Sequence, residues 1–366
     1  MKIKDFIDYE QPTDYIVESD RYSDKYETPV LTAGQSFVLG YTNEKEGIYN
    51  KNSCIIFDDF TTSVHYVDFP FKVKSSAMKI LTSKRDADLK YCYYLLLSLS
   101  KMPPNHKRQW ISTTSEKDHS LPSTENQVTI VKQLDLISKT ITWYKKQIEN
   151  LDVLVRSRFV EMFGNPVANE KGWEISLCKN LMSKIGSGAT PKGGKESYCD
   201  EGISLIRSMN VYNNRFEYKD LAHITDDQAG QLENVTIEKK DVLLNITGAS
   251  VARCCVVPDD LLPARVNQHV SIIRCKERIL PEFLCCMFTE DNYQRLLWNI
   301  ATAGGATREA ITKQQIEELM LIVPPIDLQR QYITFVKWID KLKSAVQAAL
   351  DKTQLLFDSL MQEYFG

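Results

Sequence analysis

Residues 121–164 and 323–366 of this chain align without a gap at an offset of 202. Pro122 matches Pro324, Gln127 matches Gln329, Ile137 matches Ile339 and Lys139 matches Lys341. Leu154 matches Leu356, Ser157 matches Ser359, Glu161 matches Glu363, and Phe163-Gly164 matches Phe365-Gly366. The shared beginning and shared end mark this as one unit used twice. Just upstream, Arg108-Gln109-Trp110-Ile111-Ser112 resembles Arg308-Glu309-Ala310-Ile311-Thr312 at an offset of 200.

Each copy carries a coiled-coil period, with apolar residues spaced alternately by three and four. In the first the seam reads Leu134, Ile137, Ile141, Tyr144, Ile148, Leu151 and Val155. In the second it reads Ile339, Leu342, Val346, Ala349, Thr353, Leu356 and Leu360. Neither interior holds Gly or Pro, and Gly164 with Pro166 beyond it is a stop signal. A helix from Val128 to Met162 would run roughly 50 Å at ~1.5 Å per residue. Two narrow apolar stripes in one chain bury most simply against each other. An antiparallel pair is expected, with a globular domain near each end.

The expected divisions are 1–121, 122–164, 165–322 and 323–366. The globular parts read as α+β. Strands are expected at Ser53–Phe57, Ser63–Val67, Ile203–Ile206, Asp241–Ile246 and His269–Ile273, and helices at Tyr91–Leu99 and from Pro281. The two parts show little sequence similarity to each other. The nine cysteines show no metal-ligand spacing and read as reduced core thiols. With no apolar signal core and no membrane-length apolar stretch, a soluble, cytoplasmic protein is expected.

Motifs for chemistry fail on inspection. Gly188 to Lys195 lacks the G-K-[ST] ending of a phosphate loop, and Pro191 removes one amide from it. Asn165-Pro166-Val167 and Val323-Pro324-Pro325-Ile326 lack the aromatic residue of an amino-methyltransferase loop. Asp58-Asp59 and Asp259-Asp260 are adjacent pairs read as turn or surface acids. His269 has no identifiable catalytic partner and reads as a polar contact or a satisfied core group. A net charge of −3 confines any DNA site to a local patch. The candidates are Lys72, Lys74 and Lys79, in a run from 69 to 85 that also holds Lys84, Arg85 and no acid. In the second domain they are Arg207, Asn210, Asn245, Thr247, Arg253, Arg265, Asn267 and Gln268, with Arg308. Arg pairs with guanine edges and Asn or Gln with adenine.

With these residues in view, the chain resembles the specificity subunits of type I restriction-modification systems over essentially its whole length. In the first domain the resemblance rests on Pro29 to Gly34, Gly40-Tyr41-Thr42-Asn43, Ile55 to Thr62 and Val73 to Met78. In the second it rests on Gly186 to Pro191, Leu205 to Val211, Asp241 to Ser250 and Val266 to Val270, and on the Pro-led helices with Gln127 and Gln329. The resemblance implies two globular α/β target-recognition domains separated by a long antiparallel two-helix coiled coil. It implies a bipartite duplex DNA target, two methyltransferase subunits and further restriction subunits. S-adenosylmethionine, ATP and Mg then belong to those partners, and this chain holds no cofactor and no catalytic residue. In one respect the chain departs from the pattern. Ser112 to Leu121 is more polar than Leu319 to Val323, which puts an edge strand there in doubt. The competing readings are a fused methyltransferase or nuclease, and a coiled-coil scaffold with no nucleic-acid role.

Overall fold

The computed structural model describes residues 1–32, 36–84, 86–100, 107–303 and 309–366. The chain divides into two compact units. One comprises Met1–Gln147 with Val346–Gly366, the other Ile148–Ala345.

The first unit runs through α1 (Ile3–Phe6), β1 (Ile7–Glu10), β2 (Thr28–Leu31), β3 (Val38–Thr42), β4 (Cys54–Asp58), β5 (Val64–Val67), β6 (Lys72–Val73), β7 (Met78–Ser83) and α2 (Leu89–Leu99) into the long α3 (Thr124–Phe163). One sheet has the order β1-β7-β4-β5, antiparallel throughout. The other has the order β3-β2-β6, with β2 antiparallel to β3 and parallel to β6. Side chains alternate across a strand, so β4 serves two cores. Ile55 and Phe57 join Leu81, Cys92, Leu95 and Trp110. Cys54 and Ile56 join Leu31, Phe71, Val73 and Ile80.

The second unit takes the rest of α3, then β8 (Ile175–Leu177), α4 (Cys178–Leu181), β9 (Met182–Ser187), β10 (Ile203–Ile206), β11 (Val211–Tyr212), β12 (Arg215–Phe216), β13 (Ala222–Ile224), α5 (Asp226–Gly230), β14 (Val242–Asn245), β15 (Cys254–Val256), β16 (Ala264–Val266) and β17 (Val270–Cys275). It closes with α6 (Pro281–Phe288), α7 (Asp291–Thr302), α8 (Lys313–Glu317), β18 (Met320–Ile322) and α9 (Ile326–Phe365), whose last turns belong to the first unit. Its two larger sheets have the orders β15-β14-β17-β9 and β13-β10-β16, beside the two-stranded pairs β11-β12 and β18-β8. In these two larger sheets, strand for strand, order and direction repeat those of the first unit. The expected strands are present. What the dissimilar sequences concealed is that both domains share one topology.

The repeat runs further back than the sequence match, and in a different register. Gln109 N–H donates to Asp59 O at 2.9 Å, and Ile311 N–H donates to Ile246 O at 2.8 Å. These equivalent bonds are 202 residues apart, not 200. The helical turn Trp110–Thr114 therefore corresponds to α8, and Thr114 and Ile316 are buried at matching positions in the two. The R-x-x-I-[ST] likeness at offset 200 does not describe structural equivalents, and its Arg308 lies outside the described residues. The doubted edge strand is a strand in the second copy alone. There β18 pairs with β8, burying Leu321 and Ile322. In the first copy a single bridge, Lys2↔Asp118, holds the place. Lys117-Asp118-His119-Ser120 offers no apolar side chain to bury.

The long helices start and stop at positions 202 apart and pair antiparallel. In the first unit Tyr364 Oη donates to Gln133 Oε1 at 2.6 Å, and Val131 and Leu134 pack with Phe357 and Leu360. In the second, Lys343 Nζ meets Asp152 at 2.6 Å, and Phe159 and Phe163 pack on Tyr332. Gly164, at φ 73°, ends α3 in the left-handed conformation that glycine adopts without a Cβ clash. One glutamine clasps the start of each helix. Gln127 Nε2 donates to Pro122 O and Asp86 O, and Gln127 Oε1 accepts from Asp88 N, the N-cap of α2. Gln329 Nε2 donates to Pro324 O and Arg278 O, and Gln329 Oε1 accepts from Leu280 N at the N-cap of α6. Both side chains are fully buried.

The first-helix seam, Leu134, Ile137, Ile141, Tyr144, Ile148, Leu151 and Val155, is wholly on buried or half-buried positions. The second needs correction. Ile339, Val346 and Leu360 lie inward, as do Ala349 and Thr353, but Leu342 and Leu356 are exposed. Lys343, Leu350 and Phe357 face inward in their place, so the steps from Ile339 run four then three. At Ala349/Leu350 and Leu356/Phe357 apolar residues stand at both choices, which left the phase ambiguous in sequence. This register makes a testable prediction. Leu350→Ser should cost about 2–3 kcal/mol through lost burial and a cavity. Leu342→Ser should cost less than about 1 kcal/mol. Urea unfolding midpoints check both values, and equal losses would contradict the register.

Candidate nucleic-acid interface

In the second unit four strand ends meet at one rim. β10 and β16 run parallel and end together at Ile206 and Val266, and Asn267 N–H donates to Ile206 O at 3.0 Å. β14 ends at Asn245 opposite Val270, and Ile246 N–H donates to His269 O. β9 leads into Gly188, whose N–H donates to Val270 O. A Cβ on Gly188 would stand 2.1 Å from Val266 O, so only glycine lets this loop lie against the 266–267 backbone. Arg207, Asn210, Asn245, Thr247, Asn267 and Gln268 are thus brought together.

Burial divides this set. Asn210 is fully buried; its Oδ1 accepts from Arg207 N at 3.0 Å and its Nδ2 donates to Glu217 O at 2.9 Å. Asn245 is fully buried, with Nδ2 donating to Ser208 O at 2.8 Å. These two shape the 207–211 loop from behind and present no edge to a ligand. Asn267 is buried as well; its Oδ1 accepts from His269 N at 3.1 Å and bends the turn that exposes Gln268. Thr247 Oγ1 and His269 Nδ1 are 2.7 Å apart, which answers the question of a partner for that histidine. Arg207 lies over the Tyr198 ring at 5.7 Å and donates to Asp220 O. Arg265 is buried, with Nε on Ala229 O at 3.1 Å, and is a core cation.

The basic run of the first unit also separates. Lys79 is fully buried and pairs with Asp59 at 3.3 Å. Lys72 is buried, pairing with Glu44 at 2.7 Å and donating to Glu46 O. Both are structural cations and leave the candidate surface. Their acids come from distant segments, so the run's lack of acids was no guide. Lys84 reaches Lys4 O and Asp8. Lys74 keeps an exposed pair with Asp20, and that hydrogen bond holds its ammonium above the usual lysine range. Arg85 lies outside the described residues. Asp59 is no surface acid either, because its carboxylate accepts from Gln109 N and Trp110 N.

Sequence reasoning missed the companions of Arg253. Its guanidinium lies 4.6 Å from the Tyr212 ring centre, and that of Arg215 lies 5.0 Å from the same ring. Tyr212 and Arg215 are paired across the tight β11–β12 hairpin, whose Asn214 sits at φ 55°. The signal was present in Tyr-Asn-Asn-Arg, a two-residue turn between short strands. Arg253 also lines an open groove of about 530 Å³ with Asn213, Asp291, Arg295 and Trp298.

The arrangement is two sheets whose loops offer arginines, amides and hydroxyls at one rim, on a chain with long paired helices. The family model described as "Type I restriction modification DNA specificity domain" matches residues 170–352. A curated relative, the EcoR124I/EcoR124II specificity subunit of Escherichia coli, is 30% identical over 94% of this chain and 87% of its own length.

The chain belongs to the type I restriction-modification specificity subunits.

Solved structures agree on the fold. The S subunit from M. genitalium matches with a TM-score of 0.62 at 14% identity, covering 100% of this chain and 95% of that one. A chain from a structure reported for complex assembly and conformational transition of the type I system matches at 0.56 and 15% identity, over 98% and 97%. As a specificity subunit, the protein serves DNA target recognition and is non-catalytic. Among the described residues no helix is long and apolar enough to cross a membrane.

The Arg253–Tyr212–Arg215 stack predicts a particular binding signature. In the assembled enzyme, Arg253→Ala should weaken all DNA sequences alike and lower the salt dependence of log K by about one unit. Arg207→Ala should instead relax the preference at one base position, by about 1–3 kcal/mol. Titrations against targets varied base by base, at several salt concentrations, separate the two outcomes.

Proposed function

We propose that this specificity subunit reads a bipartite duplex DNA target, one half with each unit, and holds two copies of a methyltransferase subunit, to which restriction subunits are added. S-adenosylmethionine, ATP and Mg act in those partners under this reading, and the assembly works in the cytoplasm.

One observation carries it. Large apolar side chains are exposed on the long helices at positions related by the helix offset of 202. Leu136 answers to Trp338, Val153 to Leu355 and Leu154 to Leu356, and all six are 45–71% exposed. Exposed apolar side chains are ordinary when scattered singly, but recurrence at equivalent positions is not expected of chance. The first unit presents Leu136 with Leu355 and Leu356; the second presents Trp338 with Val153 and Leu154. Two equivalent apolar sets suit two copies of one partner. The repeated domain topology supports the other half of the reading, since two like domains with unlike loops suit two unlike half-sites.

The test is native mass spectrometry of the chain co-expressed with its methyltransferase. The expected assembly holds two methyltransferase copies per chain. Leu355→Asp with Leu356→Asp should leave one copy, and adding Trp338→Asp with Val153→Asp should leave none. Two copies retained by the fourfold variant would contradict the docking surface.

A further inference from the structure

The second unit's rim has a counterpart in the first. Lys74 N–H donates to Leu31 O at 2.8 Å, as Asn267 N–H donates to Ile206 O. Asp59 N–H donates to Ala77 O at 3.0 Å, as Ile246 N–H donates to His269 O. Asp58 stands opposite Met78, as Asn245 stands opposite Val270. Even the buried cations correspond: Lys72 pairs with Val30 in the parallel ladder where Arg265 pairs with Leu205. Lys74–Ala77 is therefore the equivalent of Asn267–His269, one residue longer. Ser75 and Ser76 occupy the place of Gln268, and all three are exposed.

We propose that the first unit reads its half-site with the Lys74-Ser75-Ser76-Ala77 turn, presenting the two serine hydroxyls to base edges in the major groove. A hydroxyl donates and accepts, so it can serve any base, and each contact depends on a rigid backbone. The backbone here is fixed at both ends by the two hydrogen bonds just named. The ammonium of Lys74 flanks the turn, 5.9 Å from the Tyr22 ring centre. Its partner Asp20 is exposed, so a phosphate can replace that pair at little cost. Lys72 and Lys79 hold the strands beneath the turn and do not touch DNA.

The inference rests on the bipartite reading above, and the experiment separates the two. The complete enzyme, with wild-type chain or with Ser75→Ala and Ser76→Ala together, is titrated with duplexes of its methylated motif varied base by base. The wild type should show a two-part preference. In the variant, preference at one or two positions of one half should fall about tenfold, with the other half unchanged. A two-part wild-type preference that the variant leaves unaltered, or alters in both halves, overturns this inference alone. A wild type without a two-part preference overturns the bipartite reading and this inference with it.

Discussion

A buried glutamine at the first turn of each long helix fixes where the recognition domain stands. Gln127 and Gln329, themselves fully buried, each donate to two carbonyls and accept from one amide, so the whole polar end of a side chain held away from water is satisfied. Leaving such groups unpaired costs about 1–3 kcal/mol apiece, so the clasp is worth more than its count of bonds suggests. It joins the N-terminus of α2 or α6 to the start of α3 or α9 within its own unit. The central strands pack against those short helices, and the loops at the strand ends inherit their positions. A reading loop is therefore rigidly related to the helix beside it, which a subunit that positions DNA for a partner requires.

How much of this was legible in sequence follows from how local each signal is. The long helices were plain, because period, helix formers and a terminal glycine agree over forty residues. Their phase was not. Leu342 and Lys343, or Leu356 and Phe357, are adjacent, and only the partner helix decides which turns inward. Strands such as Ile203–Ile206 were found from apolar runs. The shared topology of the two domains was invisible, because it lies in strand pairing and not in residue identity.

Site residues were legible in kind but not in exposure. A lysine without nearby acids reads as surface, yet Lys79 meets Asp59 across the sheet and Lys72 meets Glu44. An asparagine at a strand end reads as a base contact, yet Asn210 and Asn245 spend their amides on the backbone of the loop they support. In both cases a long-range hydrogen bond decides, and sequence spacing carries no record of it. What remains at each rim is a short turn fixed at both ends. Such a turn can change its tip residues without disturbing the sheet. A specificity subunit needs that freedom, since its scaffold must stay constant while its target varies.

The most direct measurement is a photo-crosslinking map of the complete enzyme on its target, with photoreactive bases placed in either half of the site. The account predicts that one half crosslinks to residues 74–77 and the other to Arg207 and residues 267–268. Crosslinks from both halves to a single unit, or to surfaces away from the strand-end rims, would contradict it.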